Sequence, residues 1–195
     1  MSRILVDQIR SNSASADAIT LDGSGNLTIP GNATCSGTAT GFGGGITMAD
    51  QWRVNTNFDA TNEFLTSNWE RNDTFSSYIG SGMTESSGVF TFPSTGIYYI
   101  EAFGWGFGQG STSLYTGIEI HLTGDNSTYY NRSNSFASNP FTNGYAAFSC
   151  THLFDVTNTS THKCKIKIQA ASTFRFVGST NENSTGVTFI RLGDT

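Results

Sequence analysis

The segment from Gly88 to Gly110, GVFTFPSTGIYYIEAFGWGFGQG, constrains the fold more than any other part of the chain. Within it, the odd positions 97–107 carry Ile, Tyr, Glu, Phe, Trp and Phe, whereas the even positions 98–108 carry Tyr, Ile, Ala and three Gly. Side chains alternate between the two faces of a β-strand. The first half of this strand is therefore apolar on both faces, and the second half is aromatic on one face and bare on the other. An antiparallel strand with one solvent-exposed face alternates apolar and polar residues. This strand does not, so both of its faces must be buried against other residues.

The residues from 46 onward offer one core, which can cover one face of this strand. We expect the other face to meet a neighbouring subunit, because each buried aromatic side chain contributes several kcal/mol at ~25 cal/mol per Å² before entropy is subtracted. The alternative is a strand wholly inside one subunit, whose glycines mark the close approach of another backbone segment. The alternation of odd and even positions does not decide which face of the strand points into the core. The predicted subunit seam comprises Tyr99, Phe103, Trp105 and Phe107, the opposite-face Tyr98, and Phe189 near the C-terminus.

The composition favours an all-β fold. Charged residues make up only 13% of the 195 residues, and Ser, Thr, Asn and Gly are abundant, which disfavours helices and favours strands joined by turns. About eight to ten strands follow residue 46, at a spacing typical of a β-sandwich. The candidate strands lie near QWRVN, FSSYIGSG, GVFTF, GIYYIEAFGWG, YTGIEIHL, YAAFSCTHLFDV, KCKIKIQA, FRFVG and GVTFIRL.

The pattern divides the chain into residues 1–45 and residues 46–195. In the first part, ITLDGSGNLTI predicts a strand, a turn and a second strand. Two short strands with four large apolar side chains do not stay folded alone in water. They either pack on the second part or form a stalk with copies from other chains. GFGGG then predicts a flexible joint.

Charge and hydropathy exclude several classes of function. The net charge is −5, and there is no Lys or Arg between Arg71 and Arg132, which argues against a nucleic-acid-binding groove. No apolar run has the length of a membrane span, and the N-terminus lacks the pattern of a secretory signal. We therefore expect a protein made in a cytosol, with no membrane insertion.

The sequence contains no nucleophile elbow, P-loop or HExxH motif, so we expect no enzymatic activity and no cofactor. The strongest metal alternative combines Cys150, His152, His162 and Cys164, which would converge on Zn²⁺ if their two strands paired as a hairpin. Two thiols buried in the core are the simpler interpretation, and we favour it.

The segment YYNRSNSFASNPFTNGY, residues 129–145, is interpreted as a surface loop. Aromatic rings give contact area and amides give directional hydrogen bonds, which suits a sugar or protein surface, but an inert loop has the same composition. The candidate ligand-binding residues are Tyr129, Tyr130, Arg132, Phe136, Phe141 and Tyr145.

The segment GVFTFPSTGIYYIEAF resembles the signature strand pair of the C1q/TNF-like jelly-roll family. Its motif, Gly-x-Phe-x-x-Pro-x-x-Gly-x-Tyr-x-hydrophobic, is matched at Gly88, Phe90, Pro93, Gly96, Tyr98 and Ile100. The upstream FSSYIGSGMTESS and the closing GVTFIRL are similar to other strands of the family. The resemblance implies a ten-stranded jelly roll that assembles as a homotrimer around aromatic residues. No collagen-like Gly-X-Y repeat precedes the domain, so the functions of the animal complement-type members are not implied.

The N-terminal residues MSRILVDQIRSNSASADAITLDGSGNLTIPGNATCSG resemble the opening of small fibre and appendage proteins of tailed bacteriophages, particularly marine ones. The resemblance implies a virion protein assembled in the host cytoplasm, with a trimeric fibre or knob that contacts a host surface glycan or protein. Ile4, Leu5, Val6 and Ile9 are the predicted attachment residues to the capsid or tail. The alternatives are a capsid decoration or cement protein and a free C1q-like carbohydrate-binding lectin.

Overall fold

The computed structural model describes residues 7–9, 15–16, 19–30 and 45–195. Across these ranges the regular structure is entirely β, as the composition predicts. None of the described residues forms a helix with the length and hydrophobicity that crossing a membrane requires. The chain divides into two units, Met1–Gly44 and Gly45–Thr195. Three of the predicted attachment residues, Ile4, Leu5 and Val6, lie outside the described residues.

The first unit contains a small antiparallel sheet with the order β1 (Gln8–Ile9), β2 (Ile19–Leu21) and β3 (Leu27–Thr28). The predicted strand–turn–strand is confirmed. Its turn is closed by Asp22, whose carboxylate accepts hydrogen bonds from the backbone N–H groups of Ser24 at 2.9 Å and Asn26 at 2.8 Å.

Three apolar side chains of this small sheet are exposed. Ile9, Leu21 and Leu27 are each open to solvent over two-fifths or more of their surface. A sheet of this size has no second layer of its own to cover them.

The second unit is a β-sandwich whose strands are all antiparallel to their neighbours. The first sheet has the order β12–β9–β14–β4–β6, with bounds β4 (Ala49–Val54), β6 (Trp69–Arg71), β9 (Gly96–Gly108), β12 (Tyr145–Val156) and β14 (Gly186–Gly193). The second sheet has the order β11–β10–β13 with β5 and β8 beside β13, and bounds β5 (Phe58–Phe64), β7 (Thr84–Ser86), β8 (Val89–Thr91), β10 (Ser113–Thr123), β11 (Tyr130–Asn139) and β13 (Lys163–Phe176). The sheets are continuous through the end of β13, which also pairs with β9.

The even-numbered residues of β9 line the core between the two sheets. Tyr98, Ile100 and Ala102 are fully buried in one cluster with the inward residues of β10 and β13. The Tyr98 ring packs against Phe92 at a centroid distance of 4.7 Å, and its hydroxyl donates to the Ser94 carbonyl at 3.0 Å. Tyr98 is therefore a core residue, and its prediction as a seam residue is wrong.

Phe189 also belongs to the core. It is fully buried on β14, with its ring 5.1 Å from that of Phe90 and 6.0 Å from that of Phe92. It pairs with Ile100 across β9, so it shares the inward face of the sheet. Phe189 is thus also wrongly predicted as a seam residue, because its parity places it between the layers.

The glycines of β9 lie where other segments approach its inward face. A Cβ on Gly106 would overlap the Arg175 carbonyl oxygen and stand 2.6 Å from Cε1 of Phe174. A Cβ on Gly104 would stand 2.8 Å from Cε2 of Phe148. The glycine face of β9 is therefore the face that other segments approach closely, as the single-subunit alternative expected. The aromatic face of β9 lies on the outside of the sandwich.

Several strand predictions differ from the structure. FSSYIGSG is irregular apart from a bridge between Ile79 and Ala49, and KCKIKIQA and FRFVG are parts of the single strand β13. Strands β5 and β11 were missed because both are rich in polar residues. Most of the predicted loop at residues 129–145 is edge strand β11, whose backbone groups pair with β10.

Candidate functional site

The outward face of the first sheet carries a row of partly exposed aromatic side chains. The odd-numbered residues of β9 alternate with its buried even ones, so Tyr99, Phe103, Trp105 and Phe107 all lie on this outward face and are half-buried. Strand β9 is central in its sheet, with β12 on one side and β14 on the other. The sandwich core therefore covers one face of β9, and one chain leaves the other partly open.

Strand β12 extends this row. Tyr145 lies opposite Phe107, and Leu153 lies opposite Tyr99. Tyr145 is 75% exposed and Leu153 is 59% exposed. The Tyr145 ring lies 5.7 Å from that of Phe107 and 6.0 Å from that of Trp105, measured between centroids. We call the resulting surface the outer apolar face, and it comprises Tyr99, Phe103, Trp105, Phe107, Tyr145 and Leu153.

The Phe103 side chain spans from β9 to the neighbouring strand. It lies over Gly186 of β14, where an added Cβ would stand 3.0 Å from Phe103 Cζ. Beyond Gly186, on the same face, is Arg53 of β4. Phe103 thus reaches the boundary between the outer apolar face and a polar region.

Arg53 is buried despite its outward position. Its guanidinium is 2.7 Å from the Asp73 carboxylate and 3.4 Å from that of Glu70, and it donates to the Asn72 side chain at 3.0 Å. Beside it, Gln51 donates to Thr188 at 2.8 Å. These contacts hold β4, β6 and β14 together, so the polar region forms a firm border to the outer apolar face.

A cleft of about 610 Å³ adjoins Phe103 and Trp105 of the aromatic row and extends to Ser135 of β11 in the second sheet. It is lined by Phe103, Gly104, Trp105, Ser135, Ala147, Phe148, Ser149, Asn183 and Ser184. The rings provide apolar contact area, while the Ser and Asn side chains provide hydrogen-bonding groups at the border. This combination suits contact with another protein surface better than it suits bond-making chemistry.

The predicted zinc alternative is wrong because its two strands do not pair. Strand β12 pairs with β9 in the first sheet, whereas β13 pairs with β10 in the second. Cys150 and Cys164 point into the core, while the His162 ring stacks on Phe154 at a centroid distance of 5.5 Å. His152 is partly buried, which lowers its pKa, with a further contribution from the charge of Arg132. Among the described residues there is no group of three or more His, Cys, Asp or Glu that could hold a metal ion.

The two thiols behave as core groups. Burial raises the pKa of the Cys150 thiol to about 11. Burial also raises the pKa of the Cys164 thiol well above its ordinary value. Because the thiolate is the nucleophile and the metal ligand, both groups are chemically inert at neutral pH.

The six predicted ligand-binding residues do not form one site. Tyr145 belongs to the outer apolar face, and Phe141 is exposed in the loop between β11 and β12. On β11, the Arg132 guanidinium lies over the Tyr130 ring, 4.9 Å from its centroid. Just before the strand, the Lys165 ammonium lies over the Tyr129 ring, 4.2 Å from its centroid. The sixth residue, Phe136, meets Tyr115 of β10 with a centroid distance of 5.8 Å. The strand structure of β11 disperses these side chains, which a loop would have brought together.

Sequence reasoning missed Leu153 as a site residue and assigned Tyr145 to the ligand-binding loop, although it also predicted the strand that begins at Tyr145. The signal was the alternation in YAAFSCTHLFDV, but the pairing of that strand with β9 could not be read from the chain itself.

Comparisons with known proteins identify the fold. Murine APRIL superposes with a TM-score of 0.56 and 14% sequence identity, over 74% of this chain and 98% of that one. Eiger TNF from S. frugiperda superposes with a TM-score of 0.60 and 10% identity, over 77% of this chain and 95% of that one. The second unit is similar to the TNF-type jelly roll. The resemblance seen in GVFTFPSTGIYYIEAF is confirmed at the level of fold. Neither a family model nor a curated protein sequence matches the chain.

The jelly roll gives each part of the site its role. The core accounts for Tyr98, Ile100 and Phe189, and the outer apolar face is an ordered surface of the second unit that stays partly exposed among the described residues. At these levels of identity the likeness shows the fold alone.

Proposed function

We propose that the protein is a non-enzymatic structural protein of a tailed-phage virion, in which three copies form a fibre or knob that projects from the particle. The observation that carries the proposal is the outer apolar face. Phe103, Trp105, Phe107 and Tyr145 lie side by side on two paired strands, and Tyr99 and Leu153 lie beyond the polar pair Glu101 and Thr151 on the same face. All six large apolar side chains are partly or mostly exposed. Contiguous apolar surface of this kind marks a site of protein association.

The face suits a subunit contact because its elements are rigid. All six side chains extend from hydrogen-bonded strands, and the Arg53 cluster holds the adjacent strands. A preorganised aromatic surface loses little conformational entropy on association. The C1q/TNF-like resemblance implies a trimer, and the likeness of the fold to Eiger TNF fits the jelly roll on which that implication rests.

The N-terminal unit supports attachment to a particle. Ile9, Leu21 and Leu27 are exposed on its small sheet. In the proposed assembly, copies from three chains cover Leu21 and Leu27, and the segment with Ile4, Leu5, Val6 and Ile9 docks on a capsid or tail protein. The phage assignment itself rests on the resemblance of the N-terminal sequence.

Light scattering tests the assembly. The expected mass is three times 20.9 kDa, about 63 kDa. Phe103→Asp should give a folded monomer, because a charge on the outer apolar face opposes association without entering the core. The matched control is Leu114→Asp on β10, where the side chain is 86% exposed on the other sheet. A wild-type mass of 20.9 kDa at micromolar concentration would refute the trimer.

Electron microscopy of native particles, with a gold-labelled antibody to residues 46–195, tests the location. Label at the tips of projections supports the fibre or knob. Label spread evenly over the capsid would instead identify a decoration protein, and no association with particles would favour a free lectin.

A further inference from the structure

A second cleft lies on the opposite side of the sandwich from the outer apolar face. It opens on the outward face of the second sheet, has a volume of about 360 Å³, and is lined by Tyr115, Phe136 and Gln169. That volume falls at the small end of ligand pockets, which span roughly 300–1,000 Å³. Both aromatic side chains are about two-fifths exposed, so their rings are accessible in one chain.

The floor of this cleft is built around a glycine. Phe136, Gly117 and Gln169 are direct neighbours across β11, β10 and β13. A Cβ on Gly117 would stand 2.6 Å from Cδ1 of Phe136, so the Phe136 ring lies over the space that a side chain would fill. Tyr115 stands perpendicular to this ring, at an interplanar angle of 90°. The two rings form an apolar corner, with the Phe136 ring as one surface and the Tyr115 ring as the wall at right angles to it.

Neutral amide groups border the corner. Gln169 lines the cleft, and Asn62 of β5 is its direct cross-strand neighbour. Asn134 is two residues from Phe136 on the same face of β11. Each amide side chain both donates and accepts hydrogen bonds, and none of the three lining residues is charged.

The geometry points to this corner as a binding site for one neutral hexopyranose ring of a glycan. A pyranose has a C–H face that packs on an aromatic ring and a rim of hydroxyl groups that each donate and accept. Phe136 and Tyr115 supply the stacking surface and the wall, and the amides of Gln169 and Asn62 supply partners for the hydroxyls. A phosphate or carboxylate ligand would need a cation, and none of the three lining residues is one. Lys167, two residues from Gln169 on the same face of β13, places its ammonium 5.8 Å from the centroid of the Phe64 ring. The inference does not depend on the trimer or on the virion.

Saturation-transfer NMR with D-glucose, D-galactose, D-mannose and N-acetyl-D-glucosamine, each added separately, tests the site. We expect transfer to the ring C–H protons of at least one of these sugars. Phe136→Ala and Tyr115→Ala should each weaken that binding by about tenfold or more. Gln169→Ala keeps the aromatic corner and should weaken binding while retaining contact with the C–H face. Leu114→Ala is the matched control, because its exposed side chain adjoins Tyr115 in sequence but does not line the cleft.

Three results would overturn the inference. They are absence of transfer from the wild-type protein to all four sugars, unchanged binding in both aromatic variants, and a loss of oligomer mass in Phe136→Ala that identifies the cleft as a subunit contact. Thermal denaturation of each variant confirms that it is folded. Sugar binding that persists in Phe103→Asp would support the site even if the proposed trimer failed.

Discussion

Phe103 lies over Gly186 on the outward face of the first sheet, so that the ring occupies the space in which a side chain on β14 would begin. The two residues are direct cross-strand partners. A Cβ at position 186 would stand 3.0 Å from Phe103 Cζ and would overlap the Trp52 carbonyl oxygen. The glycine thus allows β4, β14 and the aromatic row to pack together.

Gly186→Ala is expected to lower the free energy of unfolding by about 1–3 kcal/mol, because the added methyl group overpacks a site closed by backbone. Thermal denaturation measures the effect. The control is Gly193→Ala on the same strand, where no heavy atom of the described residues lies within 4 Å of an added Cβ, and a change within about 0.5 kcal/mol is expected. Equal stability of the two variants would contradict the packing of Phe103 on Gly186.

Asp50 joins three segments at one buried carboxylate. It accepts hydrogen bonds from the Met83 backbone N–H at 2.7 Å and the Trp52 indole N–H at 3.0 Å, and it pairs with Arg71 at 3.1 Å. Asp50→Ala is expected to lower the free energy of unfolding in urea by about 3 kcal/mol, since these donors lose their acceptor. Asp194→Ala, at an exposed partner of Arg191, should change it by less than about 0.5 kcal/mol. A small effect at Asp50 would show that water replaces the carboxylate there.

Ionisation of the Cys150 thiol should lower the free energy of unfolding at alkaline pH. Burial raises the pKa of its thiol to about 11, above the ordinary value of 9.0. The folded state keeps the proton to a higher pH than the unfolded state, so the stabilisation is complete below pH 9.0 and is lost as the pH rises toward 11. Urea denaturation across this range should show a shallower decline in Cys150→Ala than in the wild-type protein. Parallel declines would mean that Cys150 does not titrate in this way.

Asp59 and Arg175 link β5 to β13 through two charge-assisted hydrogen bonds of 2.8 Å. The side-chain hydrogen bond from Arg175 lowers the pKa of Asp59 below its ordinary value of 3.8. The stabilisation is therefore present above pH 3.8 and is lost as the pH falls through the lowered pKa. Because the pair is partly exposed, Asp59→Asn should cost at most about 1 kcal/mol at neutral pH. The difference from wild type should vanish in strong acid, and a constant difference would exclude titration of Asp59 as its cause.

The strands that could be predicted from sequence are those with a clear alternation of apolar residues. Strands β9 and β12 each bury mainly one parity, β10 is buried on both faces from Thr116 onward, and the apolar patterns of these strands and of β14 predicted them. Strand β11 alternates polar residues at the edge of a sheet, where only one neighbour supplies hydrogen bonds, so nothing in its local pattern separates it from a loop. Because β11 is a strand and not a loop, the predicted ligand-binding residues do not form one site, and Phe136 packs against Tyr115 of β10.

The sequence alone determined that the chain is β-structured and that residues 97–108 form a strand with two unlike faces. The period of a strand is two, so this pattern is equally satisfied with either face inward. The tertiary structure decided the question, because the end of β13 and the Phe148 ring approach β9 so closely that only glycine fits on that side. Packing between distant segments therefore sent Tyr98 into the core and left Phe103 and Trp105 on the surface.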